Sequence, residues 1–474
     1  MSQNKISRPE GVATPDETVT RRDLYVAGWT CSLGSAIEYY DFALYSMASA
    51  LVFGQLFFPG ADKTVGLIAS FATYFIGFAV RPVGGVLFGS LGDRLGRKFV
   101  LLATVVLMGG ASTLIGVLPS YGQVGIWAPA MLIGLRILQG LGAGAEQAGA
   151  AVMMTEYAPK GRRGYFASLP FTGIMLGTVL AALVYFVLLA TGKDEIVSSG
   201  LWRIPFLASV LILAVAVYIR LSLKETPTFH KLKAHGDTAT RPLHDVLTHS
   251  RRSLLVGIGL RFGENGGSSL LQALAISYMA QVVGLSGQTS SLALVVASCC
   301  GAVTVPLAGL LSDRFGRRVM YRGYAIFQIV TVFPMWYVFS LGEPVSSTIA
   351  LSLGLSIGVW GMFGTQGAFM PELFGARHRY VGVSLAREVS AVVAGGGAPM
   401  LGSMVIAWVA ASHAGAPQPG LGAWVPLAAY QCVLAAITLF TTFYAPETRD
   451  RSLDDPRDAI VAQAAEGAGV PATA

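Results

Sequence analysis

The stretch Gly89-Ser-Leu-Gly-Asp93-Arg94-Leu-Gly96-Arg97-Lys98 comes back 220 residues later as Gly309-Leu-Leu-Ser-Asp313-Arg314-Phe-Gly316-Arg317-Arg318. Its neighbours come back with it. Glu156 and Arg163-x4-Ser168-Leu169 correspond to Glu372 and Arg379-x4-Ser384-Leu385, 216 residues on; Lys224-Glu225-Thr226 corresponds to Pro446-Glu447-Thr448, 222 residues on. Three landmarks in one order at nearly one offset mean that the chain is two copies of one plan, because a chance motif would not bring its neighbours along. Each copy of the decapeptide follows one long apolar run and precedes another, so it reads as a loop between two membrane-crossing helices.

Outward from these loops, apolar runs follow one another from Leu24 to Tyr444, and about 20 such residues suffice to span hydrocarbon as a helix. The runs are 24–52, 64–90, 99–118, 126–155, 164–190, 201–221, 253–282, 289–311, 320–341, 346–370, 380–410 and 422–445. Of 474 residues 53% are apolar and 12% charged, with mean hydropathy +0.60; soluble domains carry about 25% charge. The pattern predicts an all-α membrane protein of twelve transmembrane helices in two homologous six-helix halves, 24–221 and 253–445. A polar linker, 222–252, joins them, and tails 1–23 and 446–474 flank them. The first 23 residues are polar, contain Pro9 and Pro15, and lack a signal-peptide core and cleavage site. The first span is therefore the targeting element.

The formal charge of +7 follows topology and does not point to nucleic acid. With the N-terminus inside, clusters such as Arg94/Arg97/Lys98, Lys160/Arg162/Arg163, Arg314/Arg317/Arg318/Arg322 and Arg449/Arg451/Arg457 all fall on inner segments, whereas the outer loops carry only Lys63 and Lys193. This positive-inside bias places both termini in the cytoplasm of a cell (inner) membrane. Cys31, Cys299, Cys300 and Cys432 lie in apolar stretches without metal-ligand spacing, and the six histidines all fall in loops. No metal or cofactor is expected, and no nucleophile, base and oxyanion constellation suggests an enzyme.

Charges inside the spans are costly, at least ~2.5 kcal/mol each near the bilayer centre, so they normally face a partner or a wet cavity. In span one Glu38, Asp41 and Tyr45 share a face with Gly34, and Asp41 falls near mid-membrane. Such an acid can pick up and release a proton. Arg81 lies twelve residues before Asp93, well inside the membrane, and Arg136 lies in span four with Gln139, Ala143 and Gln147 on its face. A guanidinium there can take a solute carboxylate two-pronged or pair with Asp41 or Glu146. In span seven Arg261, Glu264, Asn265, Ser268, Ser269 and Gln272 form a polar stripe at helical period, which in a membrane lines an aqueous path. Span eleven carries Arg387-Glu388, equally readable as pathway or as structural pairing. For Arg81, Arg136 and Glu146 the plainer reading is a structural ion pair between helices, and for Arg261 the alternative is a place in the inner-end gate.

The repeated decapeptide resembles the signature of the major facilitator superfamily. Further residues resemble its metabolite:proton symporter family: Glu38-Tyr39-Tyr40-Asp41-Phe42, Arg81-Pro82-x-Gly84-Gly85, Gln139-Gly140-x3-Gly144-Ala145-Glu146 and Trp202-Arg203-x-Pro205-Phe206. Tyr39 and Ala145 depart from the usual Trp and Gly. The resemblance implies the major facilitator fold, with Gly89, Asp93, Arg94, Gly96, Arg97 and Lys98 and their copies Gly309, Asp313, Arg314, Gly316, Arg317 and Arg318 as a cytoplasmic latch. It also implies a solute site between the halves near the midplane. The expectation is proton-coupled symport of a small organic anion, with Asp41, Glu38 and Glu146 for the proton, and Arg81, Arg136, Tyr45, Arg261, Glu264, Asn265 and Gln272 for the solute. The partners are then the solute, protons and lipid, and the chain is expected to act as a monomer. The alternatives are a zwitterionic compatible solute, a sugar porter, an exporter and, remotely, a transporter-fold sensor. A sugar porter shares Arg136-x3-Gly140 and Pro446-Glu447-Thr448 but carries paired glutamines where span seven has Arg261 and Glu264.

Overall fold

In hydrocarbon a backbone has no water to bond, so each apolar run closes its hydrogen bonds within itself as a helix. The computed structural model describes residues 21–59, 63–95, 97–144, 146–222, 242–376, 379–413, 420–453, 455 and 457–467; the side chains of 89–90, 92–101, 146 and some other helix positions lie outside the description. Among these residues all regular structure is helical. The spanning helices are α1 (Arg21–Leu51), α2 (63–95, broken at Val80 just before Pro82), α3 (Arg97–Ile115), α4 (Trp127–Tyr157), α5 (Arg163–Leu189) and α6 (Arg203–Ser222). The second half repeats them as α7 (251–283), α8 (Gly287–Phe315), α9 (Arg317–Ser340), α10 (Pro344–Leu373), α11 (Arg379–Ser412) and α12 (Leu421–Tyr444). Eight of these are long and apolar enough to cross a membrane on composition alone, and two, within α3 and α6, are shorter apolar helices.

The twelve-helix pattern of the sequence is thus the observed one, with two corrections. Span seven was expected to be a regular helix; instead its α-helix, Arg251–Leu260, gives way to π-helical turns at Phe262–Gly266, Leu270–Ala275 and Tyr278–Val283. Neighbouring helices support the first widened turn: Gly263 N–H donates to Thr438 Oγ1 at 2.8 Å, and Gln328 Nε2 donates to the Gly263 carbonyl at 3.1 Å. His244 and His249 also lie on a short helix, Pro242–His249, and not in a loop.

α5 runs along α1 on one side and along α8 and α10 on the other, so it joins the halves; α2 against α11, α4 against α10 and α11, and α1 against α7 add to the interface. α3 with α6, and α9 with α12, pack as pairs away from it. Where α5 and α8 start and end, Gly164 and Gly309 face each other so closely that a Cβ on either would run into the other's carbonyl oxygen.

Candidate functional site

Polar side chains that cannot reach water must find each other, and here they gather at two levels: a cavity between the halves and the helix ends beside the basic loops. The cavity and the open solvent at its mouth together take in about 610 Å³ of non-atom space. From the first half it is lined by Tyr39, Phe42, Ser46, Tyr74, Phe78, Arg81 and Gln147; from the second by Arg261, Asn265, Ser268, Ser269, Gln272, Phe363, Arg387 and Glu388.

Its three arginines are held differently. Arg261 is fully engaged: Nε donates to Ser390 Oγ at 2.9 Å, Nη1 donates to Gln366 Oε1 and lies 3.2 Å from Glu264 Oε2, and Asn265, with its amide turned to suit both groups, accepts from Nη2 at 3.1 Å. Arg387 reaches across the cleft, Nη2 donating to Gln147 Oε1, and leaves its Nε without a partner. Arg81 is 5% exposed, lies 4.0 Å and 4.3 Å from the centres of the Phe42 and Phe78 rings, and makes no hydrogen bond or ion pair with any described residue. Glu38 and Glu388 lie within its electrostatic reach. Glu38 accepts from Gln147 Nε2 at 3.1 Å through one oxygen; its other oxygen and Glu388 Oε2 accept nothing.

Of the residues expected at the solute, Arg81, Arg261, Asn265 and Gln272 line this cavity. Arg136, Tyr45 and Glu264 do not. Arg136 is fully buried behind the cavity, 4.0 Å from the centre of the Tyr45 ring, with Nη1 donating to Gln139 Oε1 and Gln139 Nε2 donating to Ser112 Oγ at 2.7 Å. Tyr45 donates to Thr73 at 2.7 Å, and Glu264 is buried under Arg261. Nor do Glu38, Asp41 and Tyr45 act on one surface. Asp41 accepts from Ser209 of α6 at 2.8 Å and, with Ser112 and Arg136 nearby, belongs to a polar cluster inside the first bundle. Helical spacing gives direction, but Glu38 and Tyr45 differ in depth by about 10 Å, so each meets other neighbours. Gln147 likewise bonds Glu38 and Arg387 and not Arg136. Sequence reasoning placed Gln147 only on the face of Arg136 and left Arg387-Glu388 undecided, although an amide and two charges in apolar runs were the available signal. The aromatic lining carried none. The side chain of Glu146 lies outside the described residues.

At the basic end, the second copy of the decapeptide is fully engaged. Asp313 accepts from the Gly164 and Tyr165 backbone N–H groups at 2.7 Å and 2.9 Å, capping α5 of the other half. Arg317 bonds Asp313 at 2.8 Å and Glu372 at 3.2 Å, and Glu372 also accepts from Thr448 at 2.7 Å. Gly316 has φ +100°, a conformation that favours glycine, and turns the chain so that the Arg317 and Arg318 N–H groups donate to Glu447 at 2.8 Å and 3.0 Å. Arg449 donates to the Arg314 carbonyl at 2.8 Å. Arg379 pairs with Glu156 across the halves at 2.8 Å, and Arg163 donates to the carbonyl of Arg451 at 2.7 Å. The C-terminal segment continues this seam: Gly375 N–H donates to Asp458 at 2.9 Å, and Arg457, bonded to Asp455 at 3.2 Å, holds that carboxyl below the usual range. Gly96 and the side chains of Asp93, Arg94, Arg97 and Lys98 lie outside the described residues, so the first copy has no counterpart description. At the opposite end Gln281 Nε2 donates to the Ala50 carbonyl, again between halves.

Two six-helix bundles around a charged cavity, tied together at both ends, define a multi-pass membrane transporter. The sequence profile of the Major Facilitator Superfamily matches residues 31–399, and the chain belongs to that family. Among curated proteins it is similar to the inner membrane metabolite transport protein YhjE of Escherichia coli (34% identity over 89% of this chain and 94% of that protein). It is also similar to the shikimate transporter of Escherichia coli (33%; 85% and 91%). The glycine betaine/proline/ectoine/pipecolic acid transporter OusA of Dickeya dadantii is a further relative (33%; 95% and 89%). Among solved structures, the xylose transporter XylE of Escherichia coli in a partially occluded inward-open conformation superposes with TM-score 0.70 at 17% identity, covering 91% of this chain and 99% of that one. That likeness is one of fold.

Proposed function

We propose that this chain is a proton-coupled symporter of a small organic anion, working by alternating access between its two bundles. The observation that carries the reading is Arg81: a buried guanidinium in the cavity wall, flanked by two rings and without a hydrogen bond to any described residue. A buried guanidinium that makes no hydrogen bond is costly even with carboxylates in electrostatic reach, and a solute carboxylate supplies the missing acceptor. Coupling follows from charge. Arg81, Arg261 and Arg387 balance Glu38, Glu264 and Glu388 in and just behind the wall. An anion entering this low-dielectric space unbalances it by one, and a proton on an acid restores neutrality. Asp41, close to Arg136, and Glu38, at the cleft, are the acids assigned to that proton; Glu146 is retained as a third.

In this reading the bundles 24–221 and 253–445 rock about the cavity. The decapeptide loops and the α5–α8 seam form the cytoplasmic gate, and the basic end faces the cytoplasm of an inner membrane with both termini inside. The transporter works as a monomer. A zwitterionic solute is the second reading, favoured by Glu388, whose free oxygen faces the same cavity as Arg81 and would receive a cationic group. Uptake of shikimate, dicarboxylates and proline into proteoliposomes, with and without an inward proton gradient, tests both. Gradient-driven accumulation of an organic acid supports the first; accumulation of proline alone selects the second; a transported acid indifferent to the gradient removes the coupling.

A further inference from the structure

The carboxylate of Glu38 on α1 and the guanidinium of Arg387 on α11 belong to different halves, and one neutral side chain lies between them. Gln147, on α4 and 8% exposed, donates from Nε2 to Glu38 Oε1 at 3.1 Å and accepts at Oε1 from Arg387 Nη2. The orientation of the amide is dictated by its partners: reversed, it would set its oxygen against a carboxylate and its NH₂ against a guanidinium. We propose that Gln147 is a positioning residue that ties the protonation of Glu38 to the freedom of Arg387 to bind solute.

The chemistry runs as follows. While Glu38 is ionised it holds the donor end of the amide by a charge-assisted bond, and the carbonyl end is thereby presented to Arg387. A hydrogen bond to a neutral acceptor is about half as strong. Protonation therefore loosens the amide, its oxygen withdraws from Arg387, and the guanidinium turns to the cavity, where an anion awaits a partner. By linkage, an anion that takes Arg387 releases Gln147 and favours the proton on Glu38. Proton and anion then load together although no bond joins their sites. Glu38 is faced by Arg81 from α2, Gln147 from α4 and Arg387 and Glu388 from α11, with Tyr39 beside it on α1. Direct electrostatics from Arg387 is thus the competing explanation.

The inference rests on the symport reading in taking Glu38 as a proton-bearing acid, but its test needs no solute. The Glu38 carboxyl is followed by infrared difference spectroscopy in the purified full-length protein, titrated from about pH 5 to about pH 8; its band is the one missing from Glu38→Gln. Arg387→Gln is predicted to move the Glu38 midpoint, and Gln147→Leu to abolish most of that movement. Equal movement in both backgrounds shows that the two charges sense each other through space alone and overturns the proposal, as does a Glu38 band that never titrates. Should Gln147→Leu not fold, Gln147→Asn, whose amide is too short to bridge, permits the same comparison. Absence of gradient-driven uptake sinks the symport reading while leaving this result intact, so the two failures are separable.

Discussion

Arg81 and Arg136 look alike in sequence, two arginines in apolar helices, yet one faces the cavity and the other is sealed behind Tyr45 and Tyr74. Arg81→Lys keeps the charge and loses the planar fork and ring stacking; it should weaken binding of the transported solute about tenfold or more, read as a reduced shift in melting temperature on adding solute. Asp41→Asn should leave solute counterflow and remove accumulation against a gradient, measured in the same proteoliposomes; full accumulation would reassign the proton to another acid. Arg81, Arg261, Asn265 and Gln272 were legible at the cavity because a polar group in an apolar run must face something wet. The misplacement of Arg136 and Tyr45 has an equally physical cause: spacing along one helix fixes direction, whereas which neighbour covers the side chain is decided by other helices.

At the level of helices, the basic end is held by contacts that the repeat made visible and by others that it did not. Asp313 and Arg317, four apart, pair with each other, as their spacing allows; that Asp313 would cap α5 of the other half depends on packing alone. Arg317→Gln leaves Glu372 buried with Thr448 as its remaining close partner and should destabilise the protein by about 3–5 kcal/mol, seen as a lower melting temperature; an unchanged value would show that the pair is solvated. Gly309→Val places a side chain against the Gly164 carbonyl and should hold the basic end open. A cysteine at Ala368, fully buried near that seam, should then react faster with an impermeant maleimide applied from the basic side, whereas unchanged labelling would dissociate this contact from gating. The first π-helical turn of α7 was illegible in sequence, since its supports, Thr438 of α12 and Gln328 of α9, bond the backbone of Gly263 from other helices.

For the whole molecule, the duplicated plan was readable because one decapeptide, one acid–base landmark and one terminal motif recur in order. What the repeat conceals is that the halves are chemically unequal but joined: first-half acids and Arg81 face Arg261, Arg387 and Glu388 of the second half, and Gln147 bridges them. Charged groups of both halves therefore meet at one cavity, while Asp41 stays with Ser209 inside the first bundle. The most direct measurement is solute-induced proton movement in unenergised proteoliposomes carrying a pH-sensitive dye. Addition of the transported acid outside should acidify the lumen with solute entry in the parent protein and not in Asp41→Asn; solute entry with no change in luminal pH beyond that of protein-free vesicles would contradict proton-coupled symport.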